Sequence, residues 1–153
     1  MKSARFQEWI DHWWRRAENE LNTFMPTPPL RVDASNSSAH FKTARGFAYT
    51  DTTTDAAGRV HPYIVIASKL LQQPTDRILG VLLHEIGHAL DAVLLPTGLD
   101  NWAARHGRWL AGTPERRADD IVKAVFDVTI KYDAEDVQTI GPGVSPRPEE
   151  LGL

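Results

Sequence analysis

The 153-residue chain contains no cysteine, so disulfide bridges and cysteine-ligated zinc sites are excluded. It also lacks long hydrophobic runs, because no stretch approaches the roughly 18 apolar residues that indicate a transmembrane helix. The N-terminal segment, MKSARFQEWIDHWW, has no uninterrupted apolar core of the kind found in signal peptides. These absences predict a protein without a membrane span and favour a cytoplasmic location.

The chain has little excess charge of either sign. Its formal net charge is -3 at pH 7 and no basic patch dominates the sequence, so nucleic acid is not the predicted partner. Hydrophobic residues make up 42% of the chain, which is the ordinary level for a globular domain. We therefore expect one domain over residues 1–140. Residues 141–153 contain proline and glycine without periodicity and are predicted to form a C-terminal tail.

The first predicted element is an amphipathic helix over residues 3–24. Apolar residues recur there at helical spacing: Phe6, Trp9, Ile10, Trp13, Ala17, Leu21 and Phe24. A stripe of this kind is more often core than partner surface, so we expect the tryptophans to be buried. The prolines of MPTPPL then end the helix.

The middle of the chain favours strands. β-branched and apolar residues are frequent over residues 30–35, 41–50 and 60–71, and Gly46 is a candidate bulge. The polar stretch TDTTTDAAGR, residues 50–59, is predicted to be a turn region.

Helices are predicted for most of the remaining chain. A long apolar helix has predicted boundaries at Thr75 or Asp76 and at Pro96 and Gly98. DNWAARHGRWLAG predicts a short helix. The stretch TPERRADDIVKAVFDVTIKY predicts another, with Thr113 as N-cap and Pro114 at the first helical position.

The stretch HEIGH places His84 and His88 four residues apart on the long apolar helix. This spacing puts both imidazoles on one face, where they can bind one zinc ion at about 2.0–2.1 Å. Glu85 lies beside the pair and is predicted to take a proton from a zinc-activated water, which then attacks an amide carbonyl. In a chain with six histidines, chance gives this pattern with a probability of about 1%.

Apolar residues surround this motif on several sides, which predicts a buried helix. They include Leu82, Leu83, Ile86, Ala89, Leu90, Val93 and Leu94. Buried histidine and glutamate need partners, so a metal site is favoured over a surface helix. Gly87 weakens a helix interior and fits close packing of another element, although chance accounts for it equally well.

A catalytic zinc usually has three protein ligands and one open position, so the site needs a third ligand. Glu115 is the first candidate, and Asp119 lies one turn later on the same helix face. Glu115 can ligate the metal while Asp119 accepts the free N–H of a zinc histidine. His106 is the second candidate, and another acid such as Asp100 or Asp119 is the third.

HEIGH followed by ERRAD, residues 115–119, resembles the gluzincins, which are zinc metallopeptidases with two histidine ligands and one glutamate. The longer pattern, HEIGHALD with a later E-x-x-A-D, is similar to small ImmA/IrrE-type and lethal-factor-type metallopeptidase domains. The resemblance covers roughly residues 60–130. It implies a zincin-like α+β fold with an N-terminal helix, a small twisted, mostly antiparallel sheet, an active-site helix and a glutamate-bearing helix. It also implies that substrate adds as a strand at a sheet edge, within residues 60–68.

A second resemblance competes for the third ligand. HGRW, which begins at His106, is similar to the HG-x-x-F segment that carries a histidine ligand in SprT-like metallopeptidases. Here Leu110 stands at the position of the aromatic residue. If Glu115 ligates instead, His106 is a candidate donor to the developing oxyanion, together with Arg108, Tyr63 and Tyr132.

The sequence therefore predicts a zinc-dependent peptidase with endopeptidase activity and one zinc ion per chain, acting on a protein or peptide substrate. The predicted roles are zinc ligand for His84, His88 and Glu115, general base for Glu85, oxyanion donor for His106 and support of a zinc histidine for Asp119. Two alternatives stay open at this point. One is a zincin-like protein-binding module that no longer cleaves, and the other is a cell-wall amidase or peptidase with the same site.

Overall fold

A computed structural model describes residues 3–35, 38–43, 46–94 and 98–153. Within these ranges the chain forms four α-helices, a mixed three-stranded sheet and a two-stranded antiparallel sheet of the last two strands, which confirms the α+β class. The helices are α1 (Ser3–Leu21), α2 (Thr75–Val93), α3 (Gly98–Arg105) and α4 (Pro114–Phe126). The strands are β1 (Leu30–Asp33), β2 (Ala48–Thr54), β3 (Val60–Ala67), β4 (Lys131–Tyr132) and β5 (Gln138–Thr139). In the described ranges, no helix combines the length and the apolar character needed to cross a bilayer.

The main sheet has the strand order β1-β3-β2. β1 pairs with β3 in parallel, with Leu30 opposite Ile64, and β2 pairs with β3 antiparallel, with Thr50 opposite Ile64. The sheet is therefore mixed, and its longer ladder, between β2 and β3, is antiparallel. The expectation that substrate adds within residues 60–68 is wrong for Ile64–Ile66, because these residues of β3 pair with β1 on one side and with β2 on the other. The outer strands of the sheet are β1 and β2.

The tryptophans of α1 form much of the core, as predicted. Trp9, Trp13 and Trp14 are fully buried, and the Trp14 indole N–H donates to the Met25 carbonyl oxygen at 2.8 Å. Phe24 was expected on the same stripe but is 86% exposed. The helix ends at Leu21, so the helical period no longer sets the direction of Phe24.

The strand predicted over residues 41–50 is formed only from Ala48 onward, and a short 3-10 helix occupies Ala39–Lys42. Gly46 is not a bulge but a close approach, since a Cβ there would lie 1.8 Å from the His40 carbonyl oxygen. The first half of the predicted turn over residues 50–59 instead extends β2 to Thr54, and residues 55–59 form the turn. Threonine favours strands, and the run of threonines lies on an exposed edge.

The first residues of α2 and α4 agree with the predictions. α2 begins at Thr75, and α4 begins at Pro114 with Thr113 as N-cap. α4 ends at Phe126 because Asp127 adopts a left-handed conformation, with φ 57°. Pro96, predicted to end the long helix, lies outside the described residues, and Gly98 opens α3.

The C-terminal segment, residues 141–153, packs on the fold although its sequence predicts a tail. The Trp9 indole N–H donates to the Pro146 carbonyl oxygen at 2.9 Å. Arg147 donates to Asp76 at 2.6 Å, and Pro148 is buried at the start of a 3-10 helix. These contacts depend on isolated residues rather than on a repeating pattern, so periodicity did not indicate them.

Gly87 lies where α2 and α4 approach each other closely. A Cβ on Gly87 would lie 2.4 Å from the Ala118 carbonyl oxygen, so the two helix backbones are in contact at this point. Ala118 lies between Glu115 and Asp119 in the sequence. The absence of a side chain at Gly87 therefore sets the distance at which α4 presents both carboxylates to α2.

We expect Gly87→Ala to destabilise the fold by about 1–3 kcal/mol, because the new methyl group overpacks the helix contact. This cost outweighs the helix-propensity gain of up to about 1 kcal/mol. Urea unfolding measures the change, with Gly112→Ala as control because a Cβ at Gly112 meets nothing within 4 Å. Equal unfolding free energies for the two variants would show that the helix contact is not tight.

Candidate metal centre

Two imidazoles on one face of α2 form the base of the site. His84 is 1% exposed and the His88 side chain is 21% exposed. Their Nε2 atoms lie 3.1 Å apart, and the two rings stand nearly perpendicular at 88°. The spacing of four residues on a helix brings the rings together, as predicted.

Glu115 completes the group from the first turn of α4. Its Oε2 lies 3.0 Å from His84 Nε2, and its Oε1 lies 2.9 Å from His88 Nε2. Pro114 at the start of α4 and the close helix contact at Gly87 place this carboxylate over the two rings. Among the described residues, His84, His88 and Glu115 form one group whose donor atoms lie within 4.8 Å of one another.

The donor set fits a metal ion. Ligand atoms around a tetrahedral zinc lie about 3.3 Å apart when the bonds are about 2.0–2.1 Å long. The separations observed here are 2.9, 3.0 and 3.1 Å. Two imidazole nitrogens and one carboxylate are also a donor set that zinc commonly accepts. These residues could hold a metal ion, and the geometry alone leaves its identity open.

Asp119 lies behind the group, next to His84. Its Oδ1 lies 2.7 Å from His84 Nδ1, while the Tyr132 hydroxyl donates to its Oδ2 at 2.7 Å. Both carboxylate oxygens are therefore engaged. A proton on His84 Nδ1 leaves Nε2 free to face Glu115 and His88. The partial burial of Tyr132 and its bond to Asp119 raise the pKa of the phenol, so Tyr132 stays a donor.

The two carboxylates next to His84 raise its pKa strongly. Burial disfavours the charged ring, but hydrogen bonds with Asp119 and Glu115 outweigh burial and raise the pKa of His84 to about 10. Hydrogen bonds with His84 and His88 hold the pKa of the Glu115 carboxyl far below its usual range. Without metal, His84 is thus a cation that pairs with an ionised Glu115.

This charge state predicts proton release on metal binding. A metal ion displaces the proton that His84 holds up to about pH 10, so affinity should rise about tenfold per pH unit near neutrality. Zinc titration calorimetry in two buffers of different ionisation enthalpy should show release of about one proton. Identical apparent enthalpies in the two buffers would contradict a protonated His84 in the metal-free protein.

Glu85 lies beside the metal-binding group without belonging to it. The side chain is 5% exposed, and the Thr50 hydroxyl on β2 donates to Glu85 Oε1 at 2.9 Å. Glu85, His88 and Glu115 line the same cavity of about 330 Å³, with Thr50 opposite them. This arrangement leaves a buried carboxylate that faces the cavity next to the three donors.

The structure does not bring His106 into this group. It lies just after α3, where its Nδ1 is 2.8 Å from the Trp102 carbonyl oxygen and its ring packs on the Trp102 indole. Arg108 instead donates to the Lys123 carbonyl oxygen at 3.2 Å. Tyr63 packs on Arg31, away from the cavity. Of the predicted oxyanion donors, Tyr132 is connected to the group through its hydrogen bond to Asp119.

Asp100, the alternative acidic ligand, is engaged elsewhere. Arg117 donates to both of its carboxylate oxygens, at 2.8 and 2.9 Å. The same guanidinium donates to both oxygens of Asp91 at 2.9 Å, which ties α2, α3 and α4 together. Sequence reasoning missed Arg117 and Thr50, because their partners are 17 or more residues away and no local pattern links them.

Comparison of the chain with family models, with curated proteins and with solved structures gave no match. The site is therefore interpreted from its own geometry, which defines an α+β domain with a candidate metal-binding group of two histidines and one glutamate.

Proposed function

We propose that this chain is a zinc-dependent endopeptidase of the gluzincin type. One observation carries the proposal: His84, His88 and Glu115 converge on one point, while Glu85 faces the same cavity without joining them. A binding site that is only structural would be closed by a fourth protein ligand. Here the described residues supply three ligands and a neighbouring carboxylate, which is the arrangement that metal-assisted hydrolysis requires.

A zinc ion held by these three residues would acidify a water molecule and polarise the substrate carbonyl. Glu85 would accept a proton from that water while the water oxygen bonds to the carbonyl carbon. When the C–N bond breaks, Glu85 would pass the proton to the departing amine nitrogen. The Thr50 hydroxyl, bonded to Glu85 Oε1, orients the carboxylate for both transfers.

The edge of β2 supports an extended peptide as substrate. The Ala67 N–H donates to the Phe47 carbonyl oxygen at 2.9 Å. This bond shows which residues of β2 direct their backbone N–H and C=O groups toward β3. In an antiparallel ladder every second residue directs its N–H and C=O away from the partner strand. With the observed register, the outward residues include Ala48 and Thr50. Both also line the cavity, so a peptide paired with this edge passes directly over Glu85.

Incubation of the zinc-loaded protein with a mixed peptide library, read by mass spectrometry, tests the proposal. We expect new peptide termini that disappear with a chelator and return with added zinc. Zinc binding without cleavage of any peptide would contradict the proposal and favour a protein-binding module. Release of fragments from cell walls, with peptides left intact, would favour an amidase.

A further inference from the structure

The cavity at the metal centre adjoins a second, larger groove. This distal groove, of about 580 Å³, has Thr52 and Ala92 at its inner end, and its walls include Phe24, Met25, Val60 and Val93. Thr52 and Ala92 also line the cavity that contains Glu85. The two spaces therefore adjoin at Thr52 and Ala92, between β2 and α2.

The distance from the metal centre to the distal groove suits a short stretch of peptide. Ala92 follows His88 by four residues on α2, which is about 6 Å along the helix axis. An extended peptide advances about 3.3 Å per residue. A peptide that passes over His88 therefore reaches the inner end of the groove after about two further residues.

At Thr52, where the groove begins, the backbone of β2 is less available for pairing with a peptide. Thr52 belongs to the outward set of β2 residues, but its N–H donates to the Asp51 side chain at 2.8 Å. The Thr52 N–H is thus already hydrogen-bonded, whereas the outward residues Ala48 and Thr50 line the cavity. Recognition of a peptide beyond Thr50 therefore depends more on its side chains than on its backbone.

The groove presents apolar surface that the fold leaves uncovered. Phe24 is 86% exposed and Val60 is 39% exposed. The chain next to Phe24 is fixed, because the Met25 N–H donates to Glu18 at 3.2 Å and Trp14 donates to the Met25 carbonyl oxygen at 2.8 Å. An exposed phenylalanine on an anchored segment can pack against an apolar side chain of a ligand.

We propose that the distal groove is a specificity subsite of the metal centre, and that it takes a bulky apolar side chain of the peptide substrate. In a strand added to β2, the residue opposite Thr52 points to the α2 face, because side chains alternate and paired residues share a face. The peptide residue opposite Thr52 lies two positions from the peptide residue opposite Thr50, in the direction of His88. The proposal rests on the proposed peptidase function and names the substrate class that the site selects.

Cleavage-site profiling of the zinc-loaded protein on a peptide library tests this subsite. We expect leucine, phenylalanine and methionine to be enriched at a single position, about two residues from the cleaved bond on one side. Two peptides that differ only there, with leucine or alanine, then serve as substrates. Phe24→Ala should lower kcat/KM about tenfold for the leucine peptide and less than about twofold for the alanine peptide.

Val60→Ala, on another wall, should show a smaller loss with the same selectivity. Trp109→Ala is the matched control, since Trp109 is 77% exposed and does not line the groove. Cleavage without an apolar preference, or an unchanged ratio in Phe24→Ala, would overturn the subsite and leave the peptidase standing. No cleavage at all would overturn both. A Phe24-dependent dimer in sedimentation velocity would assign the groove to a second copy and overturn the subsite.

Discussion

Glu85→Gln is expected to retain zinc and to lower peptide hydrolysis by about 10²–10⁴-fold, because an amide cannot take the proton of water. The change preserves the size of the side chain. Its Oε1 atom can still accept the Thr50 hydroxyl, which now bonds Glu85 Oε1 at 2.9 Å. The three metal-binding residues are untouched, so affinity should stay near that of the original protein.

Zinc content and kcat/KM, measured on the same preparation, separate the two effects of Glu85→Gln. Glu20→Gln is a suitable control, because Glu20 is an exposed glutamate near the end of α1. Loss of zinc together with activity would mean that Glu85 is a ligand or that the variant misfolds. Retention of full activity would remove Glu85 from the mechanism. Either result contradicts the proposed general base.

Glu115→Ala should lower zinc affinity most strongly among the variants of α4, since it removes a ligand outright. Asp119→Asn should lower affinity by about 10–100-fold, because the amide weakens the support of His84. His106→Ala should leave affinity near the original value, since the structure places His106 on Trp102. The expected order of loss is therefore Glu115, then Asp119, then His106.

Zinc titration of these three variants, with circular dichroism to check folding, tests the order. The Glu115 side chain is 73% exposed, so its removal should not disturb the core. If His106→Ala loses zinc while Glu115→Ala retains it, the gluzincin assignment is wrong. The SprT-like interpretation would then replace it, with the same two helix histidines.

The metal-binding group was predictable because each part depends on local geometry. His84 and His88 share a face through the helical period, and Asp119 follows Glu115 by one turn for the same reason. The identity of α4 was readable from Thr113 and Pro114. Only the contact between α2 and α4 is long-range, and Gly87 indicates that contact weakly.

Features that depend on long-range pairing were not predictable. The sequence of β3 is that of a buried strand, but nothing in its pattern shows whether a buried strand is central or at an edge. The contact between Thr50 and Glu85 joins residues 35 positions apart. Phe24 fits the apolar stripe of α1, and its exposure follows from where the helix ends.

Metal analysis of the protein purified without chelator tests the central claim most directly. The account predicts about one zinc ion per chain, bound by His84, His88 and Glu115 and lost in His84→Ala. Plasma mass spectrometry gives the metal and its stoichiometry in one measurement. Absence of zinc in the purified protein, with no uptake on titration, would contradict the claim.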